Sequence, residues 1–261
     1  MTEEIYVNRN GVIAELVLNR PAKRNAITSA MWTAIPELLA PLADDVGVKL
    51  VVVRGEGGSF AAGADIGEFE EVYATRERAE QYSRSIGLAL DSLAAFPKPT
   101  IARIEGACVG GGCGVALSCD LRFAAEGSRF AITPAKLGLT YTLNDTKRLI
   151  DAVGVSNAKD ILYSGRLLDA EEAYRIGLIN RRVVAKDLDA TIATYAEGLA
   201  ATSSHSARMT KKIVSLIRSG VDADTDETRQ IFLDAFQGED FQEGYRAFLE
   251  KRKPNFPGGE G

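Results

Sequence analysis

Three consecutive glycines, Gly110, Gly111 and Gly112, stand where one kind of segment hands over to another. Residues 99–104, Pro-Thr-Ile-Ala-Arg-Ile, read as a buried strand, and Val115, Ala116 and Leu117 begin an apolar helical turn. Glycine is entropically costly in a folded chain, so three together mark a place where bare backbone comes close to something. The first N–H groups of a helix have no intrahelical partner and carry the positive end of its dipole. Such a junction suits an anion, or an oxygen that becomes anionic during a reaction. Small residues there also serve a plainer purpose, the packing of a helix on a sheet. A second junction, Gly-Glu-Gly-Gly-Ser-Phe-Ala-Ala-Gly-Ala-Asp-Ile at 55–66, likewise follows a strand (49–54) and precedes a helix. Two junctions with free N–H groups can hold one oxygen between them, which is the arrangement of an oxyanion hole.

The elements that must position these junctions follow from periodicity. Residues 5–7 and 12–18 read as a hairpin around Asn8-Arg9-Asn10-Gly11. Pro21 to Asn25 is a polar loop, and Thr28 or Ser29 caps a helix running toward Asp44, with a possible kink at Pro36. Apolar spacing predicts one long helix over 68–96, stopped by Pro97 and Pro99. Strands at 100–104, 121–125 and 179–184 complete an alternating pattern that argues for an α/β core with parallel pairing. Beyond Ser156 the chain is mostly helical, with Ser156, Asp169 and Asp187 as N-caps and Gly165 and Gly177 after helix ends. Helices near 187–202, 205–219, 225–236 and 240–250 carry apolar stripes wider than one small layer covers. Pro254 to Gly261 reads as a loose tail.

Composition narrows the function classes. A chain of 261 residues, 46% hydrophobic, buries one sizeable core. A net charge of −5 argues against nucleic acid or an anionic membrane as partner. Met1-Thr2-Glu3-Glu4 lacks the apolar run of a signal peptide, and no stretch is long and apolar enough to cross a bilayer. The three cysteines, Cys108, Cys113 and Cys119, and the single His205 do not make a zinc pattern, so no metal is expected. Reduced thiols point to the cytoplasm. No G-x-G-x-x-G, P-loop lysine or G-x-S-x-G serine occurs, which sets aside a dinucleotide-binding oxidoreductase.

Six runs carry a resemblance. They are N-R-P-A-K-R-N-A at 19–26, F-A-A-G-A-D-I at 60–66 and F-P-K-P-T-I-A-R-I-E-G-A-C-V-G-G-G-C at 96–113. The others are S-C-D-L-R-F-A at 118–124, G-R-L-L-D-A-E-E-A-Y-R-I-G-L-I-N at 165–180 and F-L-E-K-R-K-P-N-F at 248–256. In this order, over essentially the whole chain, they resemble the enoyl-CoA hydratase/isomerase, or crotonase, superfamily. The resemblance implies a ClpP-like spiral of repeated β-β-α units over 1–186 and a C-terminal helical trimerisation module over 187–261. It also implies a homotrimer or dimer of trimers, an acyl-CoA substrate, and no cofactor beyond the coenzyme A that the substrate carries.

By the same resemblance, the backbone N–H groups of Ala64 and Gly111 form the oxyanion hole for a thioester enolate. Lys23, Arg24, Ala26, Ala62, Asp65, Ile66, Gly67 and Gly110 fall on the substrate-binding positions. Lys23 and Arg24 suit CoA phosphates or plain solvation, and Asp65 suits ligand contact or holding its own loop. The hydratase carboxylates, needed to activate water and protonate the α-carbon, fall on Gly114 and Pro134. The side chains left nearby are Tyr141 and Asp145. The run Thr133-Pro134-Ala135-Lys136-Leu137-Gly138-Leu139-Thr140-Tyr141 is similar to the methylmalonyl-CoA decarboxylases, which carry a functional tyrosine in this context. Tyr141 also suits packing, Asp145 an N-cap, Glu68 a helix dipole and His205 a surface cap. Isomerisation or decarboxylation is therefore expected ahead of efficient hydration; the alternatives are hydration by other groups, or CoA-thioester binding without catalysis.

Overall fold

The computed structural model describes residues 3–256. Of the tail expected over 254–261, the part beyond Phe256 lies outside the described residues. Strands β1 (Ile5–Asn10) and β2 (Ile13–Leu18) form the expected antiparallel hairpin, with Ile5 opposite Leu18. Its turn uses Gly11 at φ 56°, a left-handed value that glycine adopts without cost. Helix α1 (Ser29–Ala43) is capped by Thr28, whose hydroxyl accepts from Met31 N at 3.3 Å, and continues unbroken through Pro36 and Pro41.

Strand β3 (Leu50–Gly55) then enters a sheet whose order is β1-β2-β3-β4-β6-β9, where β4 is Thr100–Ile104, β6 Leu121–Ala125 and β9 Arg181–Val183. From β2 onward every pairing is parallel. Both faces of a parallel sheet must be covered, so its central strand β3 is apolar over Leu50–Val53. Val51 and Val53 face a large core together with Trp32, Leu90 and Val115. Leu50 and Val52 face the other way, toward Ile101, Phe123, Leu188 and Ile192. A smaller sheet joins β5 (Ala107–Val109), β7 (Arg129–Ala131) and β8 (Leu168–Asp169).

The single helix expected over 68–96 is two. After a 3₁₀ turn at Ile66–Glu68, α2 (Phe69–Val72) ends, and α3 (Arg76–Ala94) begins afresh. Thr75 breaks the run because its hydroxyl accepts from Arg78 N at 3.3 Å, a cap that competes with continued helix. Helix α4 (Gly111–Ser118) begins within the triple glycine, with Gly110 at its N-cap. Helix α5 (Leu143–Ser164) is capped by Thr142, not by Asp145, which sits in its first turn. It breaks at Gly154 (φ 76°, ψ 165°), so Ser156 is not the cap expected there. Asp169 does cap α6 (Ala170–Arg175), accepting from Glu172 N at 2.8 Å. Asp187 precedes α7 (Leu188–Ala200) as expected, though its side chain makes no capping bond.

Helix α7 packs on the sheet through Leu188, Ile192 and Ala196, with Tyr195 edge-on to Phe123. The last three helices, α8 (Ser204–Arg218), α9 (Asp226–Gln237) and α10 (Glu239–Leu249), bury only Ala247 completely. Phe232, Leu233, Phe236, Phe241, Tyr245, Phe248 and Leu249 of α9 and α10 remain exposed. No helix among the described residues is long and apolar enough to cross a membrane.

Asn25 ties the loop after β2 to the loop after β3. It is fully buried; its side chain accepts from Arg20 N at 2.8 Å and donates to the carbonyls of Glu56 and Ser59 at 2.9 and 2.7 Å. Its φ of 55° is one that asparagine tolerates better than most residues. Asn25→Ala strands those three partners, and we expect it to lower unfolding free energy by about 2–4 kcal/mol. Urea denaturation checks this: an unchanged midpoint would show the loops are held otherwise.

Candidate active site

The segment that follows β3 is held on both edges. On one side Ala61 N donates to Ala107 O and Val109 N to Ala61 O, both at 2.9 Å. On the other, Ile27 N donates to Gly63 O at 2.8 Å and Asp65 N to Ile27 O at 2.9 Å. An extended chain sends successive N–H groups to opposite sides. With Asp65 N turned toward Ile27, the intervening Ala64 N–H turns away from it and has no backbone acceptor among the described residues.

The triple glycine meets this segment edge to edge. Gly110 N donates to Ala131 O at 2.8 Å, continuing the ladder of the small sheet. Gly111 is the first residue of α4, so its N–H has no intrahelical acceptor, and none elsewhere in the described backbone. A Cβ on Gly111 would stand 3.3 Å from Ala64 N and 3.1 Å from the Trp32 ring. A Cβ on Gly112 would stand 2.5 Å from Ala61 O. At 111 and 112 the Trp32 ring, Ala61 and the Ala64 backbone take the space a side chain would need, and Ala64 and Gly111 are left side by side.

Both line a cavity of about 560 Å³. Trp32, Phe69, Tyr82, Ile86, Leu90 and Leu137 give it apolar walls. Gly114 and Pro134 are on its surface, so the two positions where hydratase carboxylates were expected do face the cavity. Gly114 is not an empty notch: a Cβ there would lie 3.3 Å from the Leu90 Cδ1, so leucine fills the space.

Two carboxylates reach the cavity from elsewhere, and both are engaged. Arg148, nearly buried, bonds Asp145 Oδ1 at 2.9 Å through one guanidinium nitrogen and Asp91 through the other. Asp145 also accepts from Thr142 Oγ1 at 2.8 Å. Tyr141 donates its hydroxyl to Gly110 O at 2.8 Å. Burial, with Cys113 and Asp145 nearby, holds that phenol well above its ordinary pKa, so it remains a donor. Trp32 Nε1 and Tyr82 Oη lie buried on the cavity wall without a well-formed hydrogen bond among the described residues. Burial pushes the Tyr82 phenol up to about 12, a rise that the adjacent indole N–H partly opposes.

Of the substrate-binding positions read from sequence, Ala62, Ile66 and Gly110 line the cavity with Ala64, Gly111, Tyr141 and Asp145. Lys23, Arg24, Ala26, Asp65 and Gly67 do not; they lie in the loops beside it. Lys23 and Arg24 are exposed and form no ion pair among the described residues. Ala26 O accepts from Arg20 Nη1 at 2.6 Å. Asp65 holds its loop: it pairs with Arg20 at 2.8 Å and accepts from Gly67 N at 3.0 Å, and both contacts depress its pKa. Glu68 accepts from Ser29 N and Oγ at 2.7 and 2.8 Å, so it complements the start of α1 rather than of its own helix. His205 falls in the first turn of α8, where Ser203 makes the cap, and its Nε2 is enclosed without a partner among the described residues. Sequence reasoning missed Arg148, Asp91, Trp32 and Tyr82, whose helical spacing marked them only as ordinary helix positions.

The comparisons with known proteins agree with this architecture. The enoyl-CoA hydratase/isomerase family model matches residues 8–259. The chain is 33% identical to the crotonyl-CoA hydratase of Syntrophomonas wolfei, over 97% of this chain and 98% of that one. It is 34% identical to the 2,3-dehydroadipyl-CoA hydratase of Escherichia coli, over 98% and 99%. A solved structure of a family protein from Hyphomonas neptunium superimposes with a TM-score of 0.96 at 46% identity, covering 98% of each chain. With paired strand-to-helix junctions facing one apolar cavity and family matches along nearly its full length, the chain belongs to the enoyl-CoA hydratase/isomerase family and has the crotonase fold.

Proposed function

We propose that this family enzyme binds an acyl-CoA with its thioester oxygen between the N–H groups of Ala64 and Gly111, and works through the enolate they stabilise. Charge that develops on that oxygen meets two donors already fixed in place, and fixed donors stabilise a transition state without reorganising. Ile66, exposed at the cavity mouth, and the unpaired cations Lys23 and Arg24 beside it suit the pantetheine arm and phosphates of CoA.

Within that chemistry we favour decarboxylation of an α-carboxyacyl-CoA, then double-bond isomerisation, over hydration. The observation that carries the choice is the cavity wall at Gly114 and Pro134, where neither side chain transfers a proton. Asp91 and Asp145 are committed to Arg148, and Tyr141 to Gly110. Decarboxylation needs no base: the bond from Cα to the carboxylate carbon breaks, its electron pair passes into the enolate, carbon dioxide leaves, and water protonates Cα. Isomerisation needs a group that moves one proton between carbons, and hydration needs a base and an acid. A second reading, hydration with Asp145 in place of the missing carboxylates, is favoured by the relatives named as hydratases.

Mass spectrometry of products from malonyl-CoA, methylmalonyl-CoA and crotonyl-CoA separates the readings. Decarboxylation at least about a hundredfold faster than crotonyl-CoA hydration is expected, since each missing acid–base group contributes roughly 10²–10⁴-fold. Fast crotonyl-CoA hydration, abolished by Asp145→Asn, would establish the second reading instead. Gly111→Pro removes one donor and also crowds the junction, since a Cβ there would lie 3.1 Å from the Trp32 ring; turnover should fall about a hundredfold or more, and a folded variant with unchanged turnover rules the assignment out.

Restoring one carboxylate by Gly114→Glu should not create strong hydration. It should also destabilise the fold by about 1–3 kcal/mol, because the new side chain displaces Leu90. Leu90→Ala in the same chain should recover part of that loss in a thermal melt, whereas independent additive losses would show that the two positions do not compete for space.

The exposed aromatic face of α9 and α10 further supports self-association into a trimer or a dimer of trimers. Light scattering should return three or six times the chain mass of 28.0 kDa; a stable monomer at micromolar concentration refutes it.

A further inference from the structure

We infer that Tyr141 is a positioning residue: its hydroxyl, bonded to Gly110 O, sets the direction and donor strength of the Gly111 N–H on the opposite side of the same peptide unit. This inference rests on the oxyanion role proposed for Gly111. In a trans peptide the carbonyl and the N–H point in opposite directions, so whatever holds the oxygen aims the hydrogen.

The peptide between residues 110 and 111 needs such a hold. Both flanking residues are glycines, so no Cβ on either side restricts rotation of the peptide plane. Gly110 has φ 53° and ψ −117°, a combination that residues with side chains avoid. A Cβ there would meet Gly63 Cα at 3.8 Å and Thr133 Oγ1 at 3.9 Å, ordinary contact distances. With no side chain on either residue to turn against its neighbours, hydrogen bonds are what fix the orientation of this unit.

Three bonds do so. Gly110 N donates to Ala131 O at 2.8 Å, which fixes the preceding peptide. Gly110 O accepts from Gly114 N at 3.2 Å, the long first bond of α4. The shortest bond on that oxygen is the 2.8 Å one from Tyr141. The tyrosine ring packs against the large core while its hydroxyl end is enclosed. Its position is set by the loop that Thr142 ends at the start of α5, and α5 is anchored there by Arg148 to Asp91 of α3. A donor at the carbonyl also draws electron density from the amide and makes its N–H the stronger donor. The hydroxyl acts through the amide, and no proton leaves it.

Acetoacetyl-CoA tests this with the full-length protein, because its enolate absorbs in the near ultraviolet and a hydrogen-bonded thioester oxygen favours it. Wild-type protein should enrich the bound enolate over free acetoacetyl-CoA at the same pH. Tyr141→Phe should lower the bound-enolate equilibrium constant about three- to tenfold, the worth of one hydrogen bond, with affinity for coenzyme A alone unchanged. Replacement of Tyr141 by 3-fluorotyrosine, of nearly the same shape and a stronger donor, should move the constant the other way. If Tyr141→Phe fails to fold, the fluorinated protein carries the test alone. A constant that ignores both substitutions, in a protein that does enrich the enolate, overturns the positioning role. No enrichment by the wild type overturns the oxyanion role itself, and this inference falls with it.

Discussion

Two stretches of main chain, residues 61–64 and 110–112, run so close together that glycine is required between them, and the site depends on that contact. A Cβ on Gly112 would come within 2.5 Å of Ala61 O, well inside contact distance, so the approach is possible only where glycine stands. The contact is not adhesive on its own, since backbone polar groups brought out of water must find partners. It is held from outside: Ile27 and Val109 stitch the first stretch, Ala131 the second, and Asn25 the loops behind them. What remains after these bonds are drawn is a pair of N–H groups, Ala64 and Gly111, with no acceptor in the described backbone.

A binding feature made of main chain is insulated from side-chain change. The parallel strands β3 and β4 end on the same side of the sheet, the second junction being reached through β5, and this geometry depends on buried valines and isoleucines rather than on any group that reacts. The cavity walls are made by side chains instead. Gly114 lies on α4, four residues after Gly110, and Pro134 opens a 3₁₀ turn after β7. Neither residue supplies a member of the donor pair, and a carboxylate at Gly114 would have to displace Leu90. Division of labour between a rigid backbone donor pair and variable walls is how one fold serves several reactions of the same intermediate.

The two junctions were legible in the sequence because their signal was local, a strand, small residues and a helix, twice over, whereas Ala64 and Gly111 were singled out only through the family resemblance. The parallel core was legible from runs such as Leu50-Val51-Val52-Val53, too continuously apolar for a sheet with one wet face. Breaks decided by a single side chain were not. Thr75 interrupts a convincing helical stripe with one hydroxyl, and Gly154 breaks α5 two residues before the serine that looked like a cap. Assigning the titratable groups failed for a different reason. Whether Asp145 is a free base or a braced one depends on Arg148, three residues on, and on Asp91, far away in the chain. Glu68 belonged to the start of α1, a partner that helical periodicity around residue 68 does not reveal.

Arg148 shows how the cavity's carboxylates brace the fold. A guanidinium with so little exposure would be costly without partners, and it has two, which together leave the cluster with one negative charge. Taking a proton onto Asp145 would weaken its pairing with Arg148 and the bond it accepts from Thr142 at the start of α5. That helix start adjoins Tyr141, whose hydroxyl meets the glycine junction. Loss of the Asp145–Arg148 pairing would thus disturb the segment that holds Tyr141 against the carbonyl of Gly110.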